Sequence, residues 1–214
     1  DWFKIRNVAS DETEIWLYGE IGWWGTTAED FAEQIKAIET PKIAVRINSP
    51  GGDVFDAVAI HSCLMSHPAT VTTYVDSLAA SAASYIALAG DKVVTARNAM
   101  WMIHDASSFW WGNAADMREC ADLLDKVSDN IADFYAQKCG GQVAAWRDLM
   151  RAETWYTGAE AVEAGLADEI AAGKGQKRQQ VPDAHEHDDD DEDMWDASRW
   201  DLAACGYRYA GRDK

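Results

Sequence analysis

Three short segments hold residues that could act together on an acyl group: Ala79-Ala80-Ser81-Ala82-Ala83, Met102-Ile103-His104 and Ala152-Glu153-Thr154. A turn-forming stretch, Ile47-Asn48-Ser49-Pro50-Gly51-Gly52, precedes them. A serine hydroxyl becomes a useful nucleophile when a neighbouring base takes its proton, and an imidazole titrates in the right range to do so. A carboxylate can orient that base, and aimed N–H donors can stabilise the oxyanion that forms. The order of the parts is also informative. Nucleophile-elbow hydrolases run serine, acid, histidine, and the two best known serine protease folds place serine last. This chain runs serine, histidine, acid.

Taken singly, each part has a plain structural explanation. Ser81 stands at a predicted strand-to-helix junction, where unpaired N–H groups and the positive helix end favour nearby negative charge. Small flanking alanines would let a substrate backbone approach it. An isolated Ala-Ala-Ser, however, is more often a cap or a tight packing position, and Ser77 and Ser84 compete as nucleophiles. Gly51-Gly52 follows a strand and a proline, where a missing side chain permits positive φ and lets a backbone N–H face a cleft. By itself it is an ordinary Pro-Gly turn. His104 closes a short strand, a place from which a ring can reach a neighbouring loop. The other histidines, His61, His67, His185 and His187, are read as structural or exposed.

The elements that must position these residues follow from periodicity. Residues 14–21 read as a strand, 27–38 as an amphipathic helix capped by Thr26 or Thr27, and 43–47 as a second strand. Val54, Val58, Ile60 and Leu64 recur at helical spacing over 54–65. The β-branched run 71–75 reads as a strand before a small-residue helix over 81–89. Strands and helices alternate, so parallel pairing and an α/β fold are expected. Short strands follow at 92–95 and 100–103. A long helix then spans 114–138, with Met117, Leu124, Ile131 and Phe134 or Tyr135 on one stripe before the Gly140-Gly141 stop. About 25 residues exceeds the usual helix length, so this element should project beyond a small core.

Composition excludes several classes of function. The chain has 214 residues, 48% of them hydrophobic, enough for one sizeable core and an appendage. Its net charge of -18 argues against nucleic acid as a partner, because a phosphate backbone is bound by neutralising it. No basic cluster exceeds Lys174 to Arg178. The four cysteines, Cys63, Cys120, Cys139 and Cys205, lack Cys-x-x-Cys spacing, which suggests a reduced, cytoplasmic protein. No apolar run approaches the ~18 residues of a membrane span. The start at Asp1, without Met, leads us to expect a cut or processed end just before it. We divide the chain into a domain over 1–170 and an acidic C-terminal tail over 171–214 that is expected to be disordered. Residues 183–196 hold nine acids and no Lys or Arg. For His185 and His187 a solvated acidic linker outweighs a weak divalent cation site. Residues 194–209, with Trp195 and Trp200, read as a short docking segment or as disordered sequence.

The Ser-Pro-Gly-Gly turn, the Ala-Ala-Ser segment, Met-Ile-His and the Glu160-Ala161-Val162-Glu163 block together resemble the proteolytic subunit family of the Clp protease. The likeness covers roughly Glu14 to Ile170. Trp2 to Gly22 and Glu153 to Ile170 are most similar to the Clp-like head maturation proteases of tailed bacteriophages and prophages. The resemblance implies a Clp/crotonase-like fold of repeated β-β-α units with a protruding handle helix, ring assembly, and serine endopeptidase activity. It implies Ser81 as nucleophile, His104 as base and Glu153 as the acid, with Asp148 the fallback. The backbone N–H groups of Gly52 and Ala82 would form the oxyanion hole, and Gly51, Ser107, Phe109 and Trp110 would contact a peptide bound by strand addition. The substrate would be a capsid or scaffold polypeptide, cut in the host cytoplasm or the prohead. No metal or nucleotide cofactor is needed, and ATP would enter only through a partner unfoldase.

The sequence departs from the family pattern in places. Glu153 stands where aspartate is usual, Ser77 replaces a glycine, Ala82 replaces a large residue, and a normally glycine-rich segment reads Ser107-Ser108-Phe109-Trp110-Trp111-Gly112. Two other readings remain. One is a crotonase-like acyl-CoA hydratase or isomerase, which would need cleft carboxylates and leaves Ser81 and His104 without roles. The other is an inactive ring or scaffold-binding subunit.

Overall fold

The computed structural model describes residues 2–22 and 27–172. The acidic tail and its aromatic end lie outside the described residues, apart from Ala171 and Ala172. The elements run β1 (Phe3–Ala9), β2 (Glu12–Tyr18), α1 (Ala28–Lys36), β3 (Lys42–Ser49), α2 (Val54–Met65), β4 (Thr70–Ala80) and α3 (Ala82–Ala87). They continue with β5 (Lys92–Thr95), β6 (Met100–Ile103), α4 (Ala114–Cys139), α5 (Val143–Arg151), β7 (Thr154–Thr157), α6 (Gly158–Glu163) and β8 (Glu169–Ile170). This is the mixed α/β architecture expected, with eight strands and six helices among the described residues.

The strands form one sheet in the order β1-β2-β3-β4-β5-β8, with β6 added to β4 and β7 to β6. Most pairings are parallel, as the alternation of strands and helices requires. Two are antiparallel, β1 with β2 and β6 with β7. Neither β1 nor β7, nor α6 and β8 after it, stands out from the sequence. The helix α5 was likewise unexpected, although its buried Trp146, Arg147 and Met150 keep a helical spacing. The cap of α1 is Thr27, whose Oγ1 accepts from the Asp30 N–H at 3.1 Å while the Asp30 carboxylate accepts from the Thr27 N–H. Gly140 ends α4 with φ 84 and donates to the Ala136 carbonyl.

What matters for the site is β4. It is 11 residues long, and its two halves have different neighbours. Residues Thr72 to Val75 pair with β5, whereas Leu78 to Ala80 pair with Met100 to Met102 of β6. The chain between β5 and β6 therefore steps along β4 toward its C-terminal end, where Ser81 sits. The core beneath is continuous, with Ile15, Leu17, Phe31, Val45, Ile47, Ile60, Val75, Ile86, Trp101 and Ile103 fully buried. Trp101 is held by an indole N–H bond to Thr95 Oγ1 at 3.0 Å, so the strand that ends at His104 has little freedom to slide.

Candidate active site

Ser81 follows the last residue of β4 and caps α3, with φ 54 and ψ -127. That conformation is unfavourable for a residue with a Cβ, and it persists only where the surroundings impose it. They do so here. The Ser81 N–H donates to the Met102 carbonyl of β6 at 2.8 Å, and the Ser81 carbonyl accepts from the Ser84 N–H at 3.0 Å. Behind it lies Gly51, with φ 98, so close that a Cβ there would stand 2.7 Å from the Ala80 oxygen and 2.8 Å from Ser81 Cβ. The result is a sharp reversal that leaves Oγ projecting from the strand end.

His104 follows β6 by one residue, and the β4–β6 pairing sets it beside the serine. Ser81 Oγ and His104 Nε2 are 2.7 Å apart, the distance for proton transfer between hydroxyl and imidazole. The segment after the histidine is pinned to the helices. The Ala106 N–H donates to Ser128 Oγ at 3.0 Å, and the Asp105 carboxylate accepts from the Arg147 guanidinium. Arg147 is buried and also donates to Asp129 at 2.6 Å and Asp125 at 2.7 Å, joining α5, α4 and the loop. These anchors escaped sequence reading because they depend on α5 and on which face of α4 is buried.

The glycine turn brings a second strand end to the same place. Ile21 donates to the Gly51 carbonyl at 2.8 Å and accepts from the Asp53 N–H at 3.0 Å, so Gly52 sits in a one-residue parallel bridge to Ile21. A Cβ on Gly52 would fall 2.1 Å from the Ile21 oxygen, and its φ of 147 also favours glycine. Among the described residues neither the Gly52 N–H nor the Ala82 N–H has a protein acceptor. Both residues line one cleft of about 600 Å³ together with Ser81, His104, Ser107, Phe109 and Trp110. Gly51 does not line it and instead packs behind the nucleophile. The apolar walls come from Phe55, Tyr85, Leu123, Leu124, Val127 and Ile131, while Phe109 and Trp111 are almost wholly exposed.

The expected acid is less fully assembled. Ile103 pairs with Thr154 in the antiparallel β6–β7 ladder, so the next step along each strand sets His104 level with Glu153. Glu153 has φ 49; it and Ser81 are the two non-glycine residues with positive φ among the described residues. Its exposed carboxylate accepts from Trp155 Nε1 at 3.4 Å, and no carboxylate among the described residues makes an ion pair with the His104 ring. Asp148, the fallback, is exposed and pairs with Arg151 at 3.2 Å. Of the competing serines, Ser77 is exposed on β4, and the Ser84 hydroxyl is committed to the Ser81 carbonyl at 2.5 Å. No group of three or more potential metal ligands occurs among the described residues. The cleft acids are Glu20 and Asp53, and Asp53 is occupied in capping α2.

A hydroxyl within hydrogen-bond reach of an imidazole, with two unpaired backbone donors in the same cleft, is suited to acyl transfer. The Clp protease family model matches residues 1–174. Over 129 residues the chain is 34% identical to the ATP-dependent Clp protease proteolytic subunit 1 of Protochlamydia amoebophila, covering 58% of this chain and 62% of that protein. Over 132 residues it is 31% identical to the ATP-dependent Clp protease proteolytic subunit of Deinococcus radiodurans, covering 60% and 64%. The chain thus matches a little under two thirds of the length of these curated relatives.

Proposed function

The chain belongs to the Clp protease family, and from that premise we propose that it is a serine endopeptidase using Ser81, His104 and Glu153. The observation that supports this most is the 2.7 Å contact between Ser81 Oγ and His104 Nε2 at the mouth of an apolar cleft. In this mechanism Oγ attacks the scissile carbonyl carbon as its proton passes to Nε2. The electron pair of the carbonyl moves to oxygen, which the Gly52 and Ala82 N–H groups receive. The imidazolium then gives its proton to the leaving amine as the C–N bond breaks, leaving an acyl-serine. Water repeats the sequence, with its proton going to Nε2 and then back to Ser81. Glu153 is assigned to the Nδ1 side of the ring, a role that requires its side chain to turn away from Trp155.

Ser107, Phe109 and Trp110 would meet the substrate in the cleft they line, beyond β6, whose two edges are occupied by β4 and β7. We assign the substrate to capsid or scaffold polypeptides in head maturation, a reading that rests only on the resemblance to phage head maturation proteases read in the sequence. The exposed Met117 on α4 supports assembly of copies into a ring, and the names of the relatives support an ATP-dependent partner. We keep 171–214 as a separate acidic tail. Among the described residues no helix is long and apolar enough to cross a membrane.

Labelling of the purified chain by a fluorophosphonate, with the modified peptide located by mass, tests the reading. Labelling at Ser81 that vanishes in Ser81→Ala is expected. An assembled wild-type protein that stays unlabelled would return the crotonase-like or inactive-subunit alternatives.

A further inference from the structure

Beneath the nucleophile, Ser84 Oγ lies 2.5 Å from the Ser81 carbonyl oxygen and 2.8 Å from the Tyr135 hydroxyl. Both Ser84 and Tyr135 are buried. A serine hydroxyl has one proton, and a carbonyl oxygen can only accept. Ser84 therefore donates to Ser81, and Tyr135 must donate to Ser84. Burial pushes the Tyr135 phenol far above its ordinary range, so the proton that makes it a donor is never lost near neutral pH. The order of donation runs from α4, through α3, to the backbone at the end of β4.

The carbonyl at the end of this chain shares a peptide plane with the Ala82 N–H. A peptide unit is planar and trans, so its C=O and N–H point in opposite directions. Holding the Ser81 oxygen down toward Ser84 and Tyr135 turns the Ala82 N–H up toward the cleft that Ser81 and His104 line. The Ser81 carbonyl already accepts from the Ser84 N–H at 3.0 Å, but that bond alone is the loose first turn of a six-residue helix. The added hydroxyl bond holds the carbonyl from a second direction and so opposes rotation of the Ser81–Ala82 peptide.

Resting on the serine protease reading, we propose that Tyr135 and Ser84 are positioning residues for the reaction, orienting the Ser81–Ala82 peptide so that its N–H serves the oxyanion. Ser84 does not line the cleft, and Tyr135, which lies in its wall, is buried with its hydroxyl turned to Ser84. Tyr135 acts only through Ser84, and Ser84 only through the Ser81 carbonyl. The same helix face bears Ser128, seven residues earlier, which receives the N–H of Ala106 just after His104. One face of α4 thus holds both the backbone of the nucleophile and the segment that follows the base.

The test is steady-state hydrolysis of a fluorogenic peptide amide with an apolar residue at the scissile bond, by the full chain and its Tyr135→Phe, Ser84→Ala and double variants. Misdirecting one oxyanion donor costs less than deleting it, so each variant should lose between about 10-fold and 100-fold in kcat with KM within about twofold. Affinity for a peptide boronate, which mimics the tetrahedral state, should fall in step with kcat/KM. In the Ser84→Ala background, adding Tyr135→Phe should cost nothing further. Thermal melts identify variants that have simply lost their fold, and Tyr135→Phe, which only removes an oxygen, is the milder change. A fully folded Tyr135→Phe with unchanged kcat, or an equal further loss in the double variant, would overturn the inference alone. A wild-type protein without Ser81-dependent hydrolysis would overturn the protease reading and this inference together.

Discussion

Glu153 comes level with His104 because Thr154, its neighbour, pairs with Ile103 in the antiparallel β6–β7 ladder. The ladder itself ends at Ile103 and Thr154, and Glu153, with φ 49, stands just outside it. Glutamate has one methylene more than aspartate, and here that longer side chain folds back onto Trp155 Nε1. If Glu153 is the acid that orients the imidazole, Glu153→Gln should keep the fold and lower kcat by about 10³-fold to 10⁴-fold, because the wrong tautomer is then favoured. Asp105→Asn serves as the comparison. Retention of more than a tenth of kcat in Glu153→Gln would remove Glu153 from the triad.

Gly51 is the tightest constraint behind the nucleophile. A methyl group there would strike the Ala80 oxygen, Ser81 Cβ and the Ala82 nitrogen, all within 3.0 Å, at a φ of 98 that side chains avoid. Two of these are backbone atoms and the third is the nucleophile's own Cβ, so none can give way without moving the chain at Ser81. Gly51→Ala is expected to abolish fluorophosphonate labelling of Ser81 and to cost about 1–3 kcal/mol of stability from strain. Wild-type labelling rates in this variant would show that the elbow is more adaptable than its packing implies.

The aromatic residues after His104 should set preference in cleavage. Trp110 and Phe109 line the cleft, while Trp111 is wholly exposed beside them. Replacing Trp110 and Trp111 by glycine should widen the range of side chains accepted near the scissile bond without changing the reaction at Ser81. Peptide-library cleavage profiles compared before and after the change provide the measurement. Identical profiles would exclude these residues from recognition.

His61 introduces a dependence on pH that has nothing to do with catalysis. It is buried against Tyr85 and Phe134 with ring centroids 4.5 and 4.6 Å away, and its Nε2 has no partner. Burial first, and then the Lys138 charge, push its pKa down from 6.5 to about 4. Above 6.5 both folded and unfolded chains hold it neutral, so its contribution is fully present. Between 6.5 and 4 the unfolded chain takes up a proton that the folded chain refuses, and stability falls by a total on the order of 3 kcal/mol. Urea unfolding at several pH values should show this slope in the wild type and a flatter one in His61→Phe. Superimposable curves would sink the assignment.

Arg147 gathers three carboxylates around one buried guanidinium: Asp105, Asp125 and Asp129. Removing the cation leaves three acids facing one another, whereas removing one of the two more exposed acids relieves a surplus of negative charge. Arg147→Met should cost about 3 kcal/mol or more, and Asp125→Asn under about 1 kcal/mol. Denaturant midpoints of the two variants decide the matter. Equal losses would mean that the cluster is held by packing alone.

Much of the fold was legible in the sequence because its signals are local. Helical spacing from Val54 to Leu64 marked α2 with its observed limits, the cap of α1 was narrowed to Thr26 or Thr27, and Gly140 stopped α4. Chain-wide alternation pointed to the parallel sheet. The chemistry-bearing types, Ser81, His104 and the Gly51-Gly52 turn, could be named because a strand end or a glycine pair has a recognisable local pattern. Distances could not be, since residues 23 positions apart meet only through the β4–β6 register, which depends on hydrogen bonds between remote backbones. The same reason hid Tyr135 and Ser84, a tyrosine on an apolar stripe and a serine among alanines, neither distinctive alone. Their contact, the burial of Arg147 and the turn of Glu153 toward Trp155 were decided by tertiary structure, because each depends on which faces of separate elements are pressed together and deprived of water.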